Sequence, residues 1–413
     1  LTDEKTHVRL RLVGRKINQQ KKEATAVKRT KVINRSRIMR EIWVSRETSR
    51  IEIARNLDLD KSTISNNVNE LLELGIIIES TEGSSSPQGG RKPVHIKLNK
   101  NYGCVLGIEM TPDSYTAVAV DLEGEIVYSK FEKAEISGKN FKEKFKEITA
   151  ALRQELVSKN LKLLGIGVGV SGVVNSKNGV IKYSIPLKIS KDYRFYKKIA
   201  GEVDVPVFID NDANASVWGE LAFHRRKELK DFIFLLLEVR DREDEQKNAY
   251  DSIGIGVGLV LNGNVHYGHD YSAGEFRSIF RHEDSIGQFS LTAKEQQLVR
   301  EDKVLWHKFL HELGAHIALI VNTFNLTHII LGGQFERYDQ DVSAILEEEI
   351  KKNWPYPYAY EVRKNIWLSA FGDQAVAYGA AGMVLNKLFS DLEILEDYSG
   401  HLDMQSEAGL IHT

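Results

Sequence analysis

By type and spacing, the residues best placed to do chemistry are Asp210, Asn211, Asp212 and Asn214. An apolar run from Val205 to Ile209 ends in them, and Ala213, Val217 and Leu221 then recur at helical spacing. That pattern predicts a buried strand running into a helix, with Asn211 and Asp212 at the junction. Side chains at the carboxyl end of a strand in an open α/β sheet face the crevice where ligands bind. A carboxylate beside an amide there can hold the hydroxyls of a polyhydroxylated ligand, and the carboxylate can act as a general base. The plainer alternative is an Asp/Asn helix cap.

A second group is Lys61, Ser62, Thr63, Ser65, Asn66 and Asn69. These polar residues share a predicted helix with Ile64, Val68, Leu71 and Leu72, an apolar face at i, i+4, i+7 and i+8. Asp60 is its expected N-cap, after a tight turn Asp58-Leu59-Asp60 and a short helix over 51–57. Ile33, Ile38, Ile42 and Trp43 suggest a helix before both. Short polar side chains on the first turns of such a second helix are what a helix-turn-helix presents to base edges and phosphates. The alternative is an ordinary helical hairpin. Residues 75–79 and 94–98 read as strands around a Gly/Ser/Pro-rich loop, the expected wing. Gly89-Gly90-Arg91-Lys92-Pro93 on that loop would let the backbone approach DNA, with Arg91 and Lys92 on phosphate or in a minor groove. A flexible linker is the alternative there. Arg50 completes the expected DNA contacts. A third group, His307, His311 and Glu312, lies within about one turn on a predicted helix over 303–325. No third ligand is evident, so an exposed helical face is the preferred reading and no metal site is expected.

Charge supports a nucleic-acid-facing front. Residues 1–100 hold 21 Lys and Arg against 12 Asp and Glu, a net of +9 on a chain whose total is −2, which leaves −11 for the rest. The first 30 residues are a basic arm suited to phosphate contact or to plain solvation. Cys104 is the only cysteine, which excludes an intrachain disulfide and a cysteine-built zinc site. No apolar run approaches the ~18 residues a membrane span needs, and no signal peptide is read, so a cytoplasmic protein without membrane partners is expected.

From residue 103 the pattern changes to strands at 104–109, 115–120 and 126–128, a charged amphipathic helix over 141–160, and a buried strand over 163–170. Strands follow at 231–239 and 252–260, the latter alternating with glycine and ending at the hairpin signal Asn262-Gly263. Residues 240–250 read as a charged surface loop. The helix over 303–325 leads to a strand at 328–333, and a last helix spans about 373–389. Strands that meander and then alternate with helices, twice over, predict two α/β lobes around a cleft.

Several stretches in order resemble the ROK family, named for repressor, open reading frame and kinase. They are the helix-turn-helix with its Gly89-Gly90-Arg91-Lys92-Pro93 wing, Gly165-Ile166-Gly167-Val168-Gly169-Val170-Ser171-Gly172, Asp210-Asn211-Asp212-Ala213-Asn214, Gly254-Ile255-Gly256-Val257-Gly258, Ser272-Ala273-Gly274-Glu275 and Ile330-Leu331-Gly332-Gly333. The resemblance covers roughly residues 31–390. It implies an actin-like, sugar-kinase (ribonuclease H-like) α/β body of two lobes behind a winged helix-turn-helix. The expected division is a basic arm at 1–30, a winged helix-turn-helix at 31–100, a body at 101–390 with lobes of about 101–210 and 211–390, and a tail at 391–413. Asn211, Asp212 and Glu275 match the family's sugar-hydroxyl partners, and Gly172 would let the backbone approach the ligand. In the kinases of the family the Asp212 position is the general base.

The departures concern the phosphate side. Where family kinases open with an Asp-x-Gly-Gly-Thr-Lys-like turn, this chain has Glu109-Met110-Thr111-Pro112-Asp113-Ser114. Pro112 removes an N–H donor and Asp113 would repel phosphate. The second turn, Gly-Thr-Gly in the kinases, is Ser252-Ile253-Gly254. The Gly-His and zinc-binding cysteines that follow the glutamate are replaced by Phe276-Arg277-Ser278 with no cysteine near. The expectation is therefore a repressor without catalytic residues, zinc or bound ATP. Its expected partners are palindromic operator DNA, a sugar or polyol effector, and further copies of itself in a homodimer or higher oligomer. The alternatives are an ATP-dependent sugar kinase with an added DNA-binding domain, and a DNA-binding protein with a degenerate, ligand-blind body.

Overall fold

The computed structural model describes residues 30–80, 94–223, 229–239, 253–338, 341–355 and 365–390. The chain forms two compact units, one of residues 1–102 with 386–413 and one of residues 103–385. Residues 1–29 of the arm expected over 1–30, the wing loop with Arg91 and Lys92, the charged excursion over 240–250 and the tail from 391 lie outside the described residues, while residue 30 already belongs to a helix.

In the first unit, α1 (residues 30–45) buries Ile38, Met39, Ile42 and Trp43, while Ile33 faces out at 50% exposure. Strand β1 (Glu47–Ser49) runs into α2 (Arg50–Leu57). Ser49 caps α2 in a box with Glu52, and Asp58, in the left-handed region, ends it. Helix α3 (Lys61–Glu73) starts on Asp60, whose carboxylate accepts from the Thr63 N–H at 2.8 Å. Ile64, Val68 and Leu71 are fully buried, each side chain contributing about 1.5–3 kcal/mol. Strands β2 (Ile77–Ser80) and β3 (His95–Leu98) pair antiparallel, and β1 pairs β3 on its other edge. This unit also takes the end of the chain's last helix. Phe389 packs edge-on against Trp43 and the Ser36 hydroxyl donates to the Ser390 carbonyl. The expected body boundary at residue 390 thus differs from the observed one: residues 386–390 cluster with the first unit because these contacts are local to it.

The second unit repeats one topology. Strands β4 (Cys104–Met110), β5 (Ser114–Asp121) and β6 (Ile126–Lys133) meander, α4 (Phe141–Ser158) crosses, and β7 (Leu163–Val170) returns parallel to β4. A small antiparallel sheet of β8 (Val173–Asn175), β9 (Val180–Tyr183) and β10 (Tyr193–Arg194) and the short α5 (Phe195–Ile199) precede β11 (Val207–Asn211), which pairs parallel to β7. Helix α6 (Asp212–Phe223) follows without a break. The second half has β12 (Phe232–Val239), β13 (Ile253–Leu261) and β14 (Asn264–Val265), then α7 (Ala293–Leu298), α8 (Lys303–Thr323), β15 (His328–Gly333), α9 (Phe335–Tyr338), α10 (Val342–Lys352), β16 (Asn365–Leu368) and α11 (Ala375–Ser390). The sheet orders β11-β7-β4-β5-β6 and β16-β15-β12-β13-β14 are equivalent. Asn262 and Gly263 both have positive φ, as a type I′ hairpin turn requires. Strands β1, β8 to β10 and β16 and helices α5, α7, α9 and α10 are additions to the sequence reading.

Helices α6 and α11 occupy equivalent places, each after the outermost parallel strand of its sheet, and they meet backbone to backbone. A β-carbon added to Gly379 would lie 2.0 Å from the Ala215 carbonyl oxygen, and α11 also lies close on strand β7, where one added to Gly167 would lie 2.1 Å from the Ala380 carbonyl oxygen. Alanine in a helix gains about 1 kcal/mol of propensity over glycine, but separating these backbones costs more. Gly379→Ala is expected to lower unfolding stability by about 1–3 kcal/mol in urea titrations. Gly254→Ala, with nothing within 4 Å of the added carbon, is expected to change it by less than about 0.5 kcal/mol.

Candidate functional site

The parallel strands of the first sheet direct their carboxyl ends toward Ser171, Gly172, Asn211 and Asp212. Asn211 ends β11. Its amide nitrogen donates to the Gly172 carbonyl at 2.9 Å, and its amide oxygen accepts from the Asn214 N–H at 3.2 Å, which fixes the side chain while it also caps α6. The cap and ligand readings of this pair are therefore compatible. Asp212 opens α6, is 6% exposed, and accepts from the Ala213 N–H. Gly172 has φ +118°, and a β-carbon there would lie 2.2 Å from the Tyr183 carbonyl oxygen. Glycine at 172 thus answers to the chain's own backbone and to the carbonyl that aims Asn211, a different need from the ligand approach expected from sequence.

Strand β13 places the opposite wall. A β-carbon at Gly258 would meet Val217 and the Ala213 carbonyl, so the glycine alternation serves contact with α6. The Ser272–Glu275 loop packs on the same strand: Gly274 sits over the Val257 carbonyl. Glu275 is exposed as a residue, although its crowded carboxyl is pushed upward by burial. Its exposure means that the push counts for little.

The carboxylates reinforce one another. Burial, then the charges of Glu238 and Glu275, hold the Asp212 carboxyl well above the usual range. Burial does the same to Glu109, with Glu238, Asp212, Asp373 and Asp113 adding to it. The β4–β5 turn is closed on itself. The Thr111 N–H donates to the Ser114 carbonyl at 3.0 Å, and the Thr111 hydroxyl lies 2.9 Å from Asp113. At the second turn, the described residues begin at Ile253. There the Gln288 side chain takes the Ile255 N–H at 2.8 Å and donates to the Ile255 carbonyl at 3.0 Å.

Sequence reasoning missed Tyr267. Its hydroxyl donates to Asp210 at 2.7 Å and accepts from the Trp218 indole at 3.3 Å. No periodicity marks it, since it lies in an irregular segment. Asp210 itself is fully buried.

The group His307, His311 and Glu312, read from sequence as an exposed helical face, is so only in part: His311 is exposed, His307 is half-buried and Glu312 is buried. His311 meets Glu349 at 2.9 Å, and Glu312 accepts from the Ser290 N–H and hydroxyl. Among the described residues no group of three or more His, Cys, Asp or Glu is placed to hold a metal ion. No described helix is long and apolar enough to cross a membrane.

On the first unit, Lys61, Ser62, Asn66 and Asn69 are exposed on α3, and Thr63 and Ser65 are half-buried. The Ser62 and Thr63 hydroxyls both donate to Asp60, so they complete the cap here instead of pointing outward for bases. Arg50 is tied to Glu79 at 3.1 Å and to Asn69 at 3.2 Å. That leaves Lys61, Ser65 and Asn66 as the side chains most available on this face.

Residues 105–279 match the ROK family. Along 87% of this chain and 97% of its own length, a xylose repressor of Caldicellulosiruptor bescii is 25% identical. A xylose repressor of Bacillus subtilis is 27% identical over 86% of this chain and 96% of its own. Among solved structures, a ROK family transcriptional regulator homologous to the E. coli MLC protein aligns with a TM-score of 0.69 and 20% identity, over 89% of this chain and 99% of that one. A ROK family glucokinase from Streptomyces griseus, in complex with glucose and AMPPNP, aligns over 68% of this chain and 99% of its own with a TM-score of 0.51 at 18% identity. The two-lobed α/β body is therefore of the sugar-kinase type.

Burial raises the Asp210 carboxyl from 3.8 to about 6, against the downward pull of its hydrogen bonds from Tyr267, the Asn211 N–H, Trp218 and Asn214. An acid with a raised folded-state value binds its proton more tightly when folded. Its contribution to stability is full below the unfolded value and is lost as pH rises from about 4 through about 6. Asp210→Asn removes this loss. Urea titrations are expected to show the variant gaining, relative to the parent, on the order of 3 kcal/mol between about pH 4 and pH 7.

Proposed function

We propose that this chain, which carries a ROK family domain over residues 105–279, is a sugar-responsive transcriptional repressor. The observation that carries the reading is a contrast within one cleft. Asn211 and Asp212 stand ordered at a strand end, while the β4–β5 turn that would face a nucleotide is bonded to itself and lies beside acid side chains. The effector is an aldopentose, with xylose the first candidate given the names of the full-length relatives. Asp212 accepts from one sugar hydroxyl, Asn211 is held for a second, and Glu275 approaches from the facing loop. A hydrogen bond from a sugar hydroxyl contributes about 0.5–1.5 kcal/mol to a protonated carboxyl and about 1.5–3 kcal/mol to a charged one.

Asp212 is a sensor in this reading, with no phosphoryl group to accept the deprotonated hydroxyl. No ATP, zinc or other cofactor takes part. The first unit is a winged helix-turn-helix that lays α3 in a major groove, with Lys61, Ser65 and Asn66 foremost. Arg91 and Lys92 reach the backbone or minor groove from the wing. Repression uses a homodimer or higher oligomer on a palindromic operator. The sugar must favour the conformer that releases DNA. Moving such an equilibrium from 1:99 to 99:1 requires about 5.5 kcal/mol of differential affinity.

Asp212→Ala is expected to bind operator as the parent does but to stay bound when xylose is added, in gel-shift titrations. Normal release by the variant would contradict the assignment. Asn66→Ala is expected to weaken operator binding by about 1–3 kcal/mol while leaving random-sequence DNA nearly unchanged in fluorescence anisotropy. Equal losses on both DNAs would show that Asn66 reads no base.

A further inference from the structure

The part of the chain after residue 100 is acidic, yet one place on it gathers cations. The outer face of the β8–β9–β10 sheet forms a hollow of about 370 Å³. In the register, Val180 stands between Asn175 and Arg194, so these three share a face, and Lys182 follows two residues on. Ile181 points the other way, into the core. Lys197, from α5, joins the same lining, with Asn178 and one acid, Asp192. The Lys182 ammonium is anchored on the Asp270 carbonyl at 2.9 Å. Arg194 and Lys197 have no ion-pair partner among the described residues, whereas their neighbour Lys198 lies over the Tyr193 ring.

The hollow is also held in shape. Asn175 accepts from the Asn178 N–H at 3.0 Å, leaving its amide nitrogen free to donate. The Tyr196 ring underlies Gly179, and its hydroxyl donates to the Ser176 carbonyl. Guanidinium, two ammonium groups and amide donors around a concave site of this size match a phosphate group. Asp192 disfavours a bare anion but accepts from a hydroxyl. We propose that this hollow binds a phosphate monoester with a hydroxyl-bearing body, as a second effector site distinct from the Asn211–Asp212 cleft.

The test is isothermal titration of the full chain with glycerol 3-phosphate and with inorganic phosphate. Saturable binding of both is expected, tighter for glycerol 3-phosphate. Arg194→Gln with Lys197→Gln is expected to weaken both by about tenfold or more, and Asp192→Asn to abolish the preference between them. Both substituted cations are exposed, so the variants are expected to melt as the parent does. Absence of saturable binding, or binding unchanged in the double variant, would overturn the proposal. So would a loss of operator affinity by the double variant in phosphate-free buffer, which would assign these cations to DNA.

Discussion

The contact on which the second unit depends is the backbone crossing of α6 and α11. Each helix follows the outermost parallel strand of one sheet, and the two touch where Gly379 meets Ala215 and Gly219 approaches Gly379. Side chains of ordinary size would hold these helices about 8–10 Å apart. Small residues let them close further, which brings the first turn of α6 down onto β13. Asp212 sits at that turn. Its position is therefore set by packing far from any ligand, and Asn211 is set with it through the Gly172 carbonyl.

Electrostatics follows from that placement. A carboxylate buried at a helix N-terminus gains from the local dipole, but here the neighbouring charge is mostly more carboxylate. The charge of Glu238 adds to burial in raising the proton affinity of Asp212 and of Glu109, and Asp212 adds further to the rise at Glu109. A sugar hydroxyl is a welcome neighbour to such a group because it donates without bringing charge. A nucleotide triphosphate brings several negative charges, and two unit charges 4 Å apart repel by about 4 kcal/mol at an effective dielectric of 20. In the proposed reading, the same cluster favours a hydroxyl donor over a phosphate group, which would separate a sensor from a kinase on one fold.

Much of this was legible in the amino-acid sequence where one periodicity ruled. The β7 strand over 163–170, the Asp60 cap, the apolar face of α3 and the Asn262-Gly263 turn stand where spacing puts them. Asn211 and Asp212 were readable because a strand end is abrupt. Other features were not readable because they depend on partners distant in sequence. Tyr267 reaches Asp210 across 57 positions, and Glu349 takes His311 across 38. Ser62 and Thr63 have the composition of DNA contacts, but a carboxylate two and three residues away claims their hydroxyls first. Gly172 was recognised as necessary, yet its reason lies in the approach of β9, which no local pattern announces.

The central claim is that the cleft senses a sugar without transforming it. The most direct measurement is prolonged incubation of the full chain with xylose and MgATP, followed by mass spectrometry for phosphorylated sugar, beside calorimetry of each ligand alone. The account predicts saturable heat from xylose, none from MgATP, and no phosphorylated product. Sugar phosphate accumulating over many turnovers would contradict it.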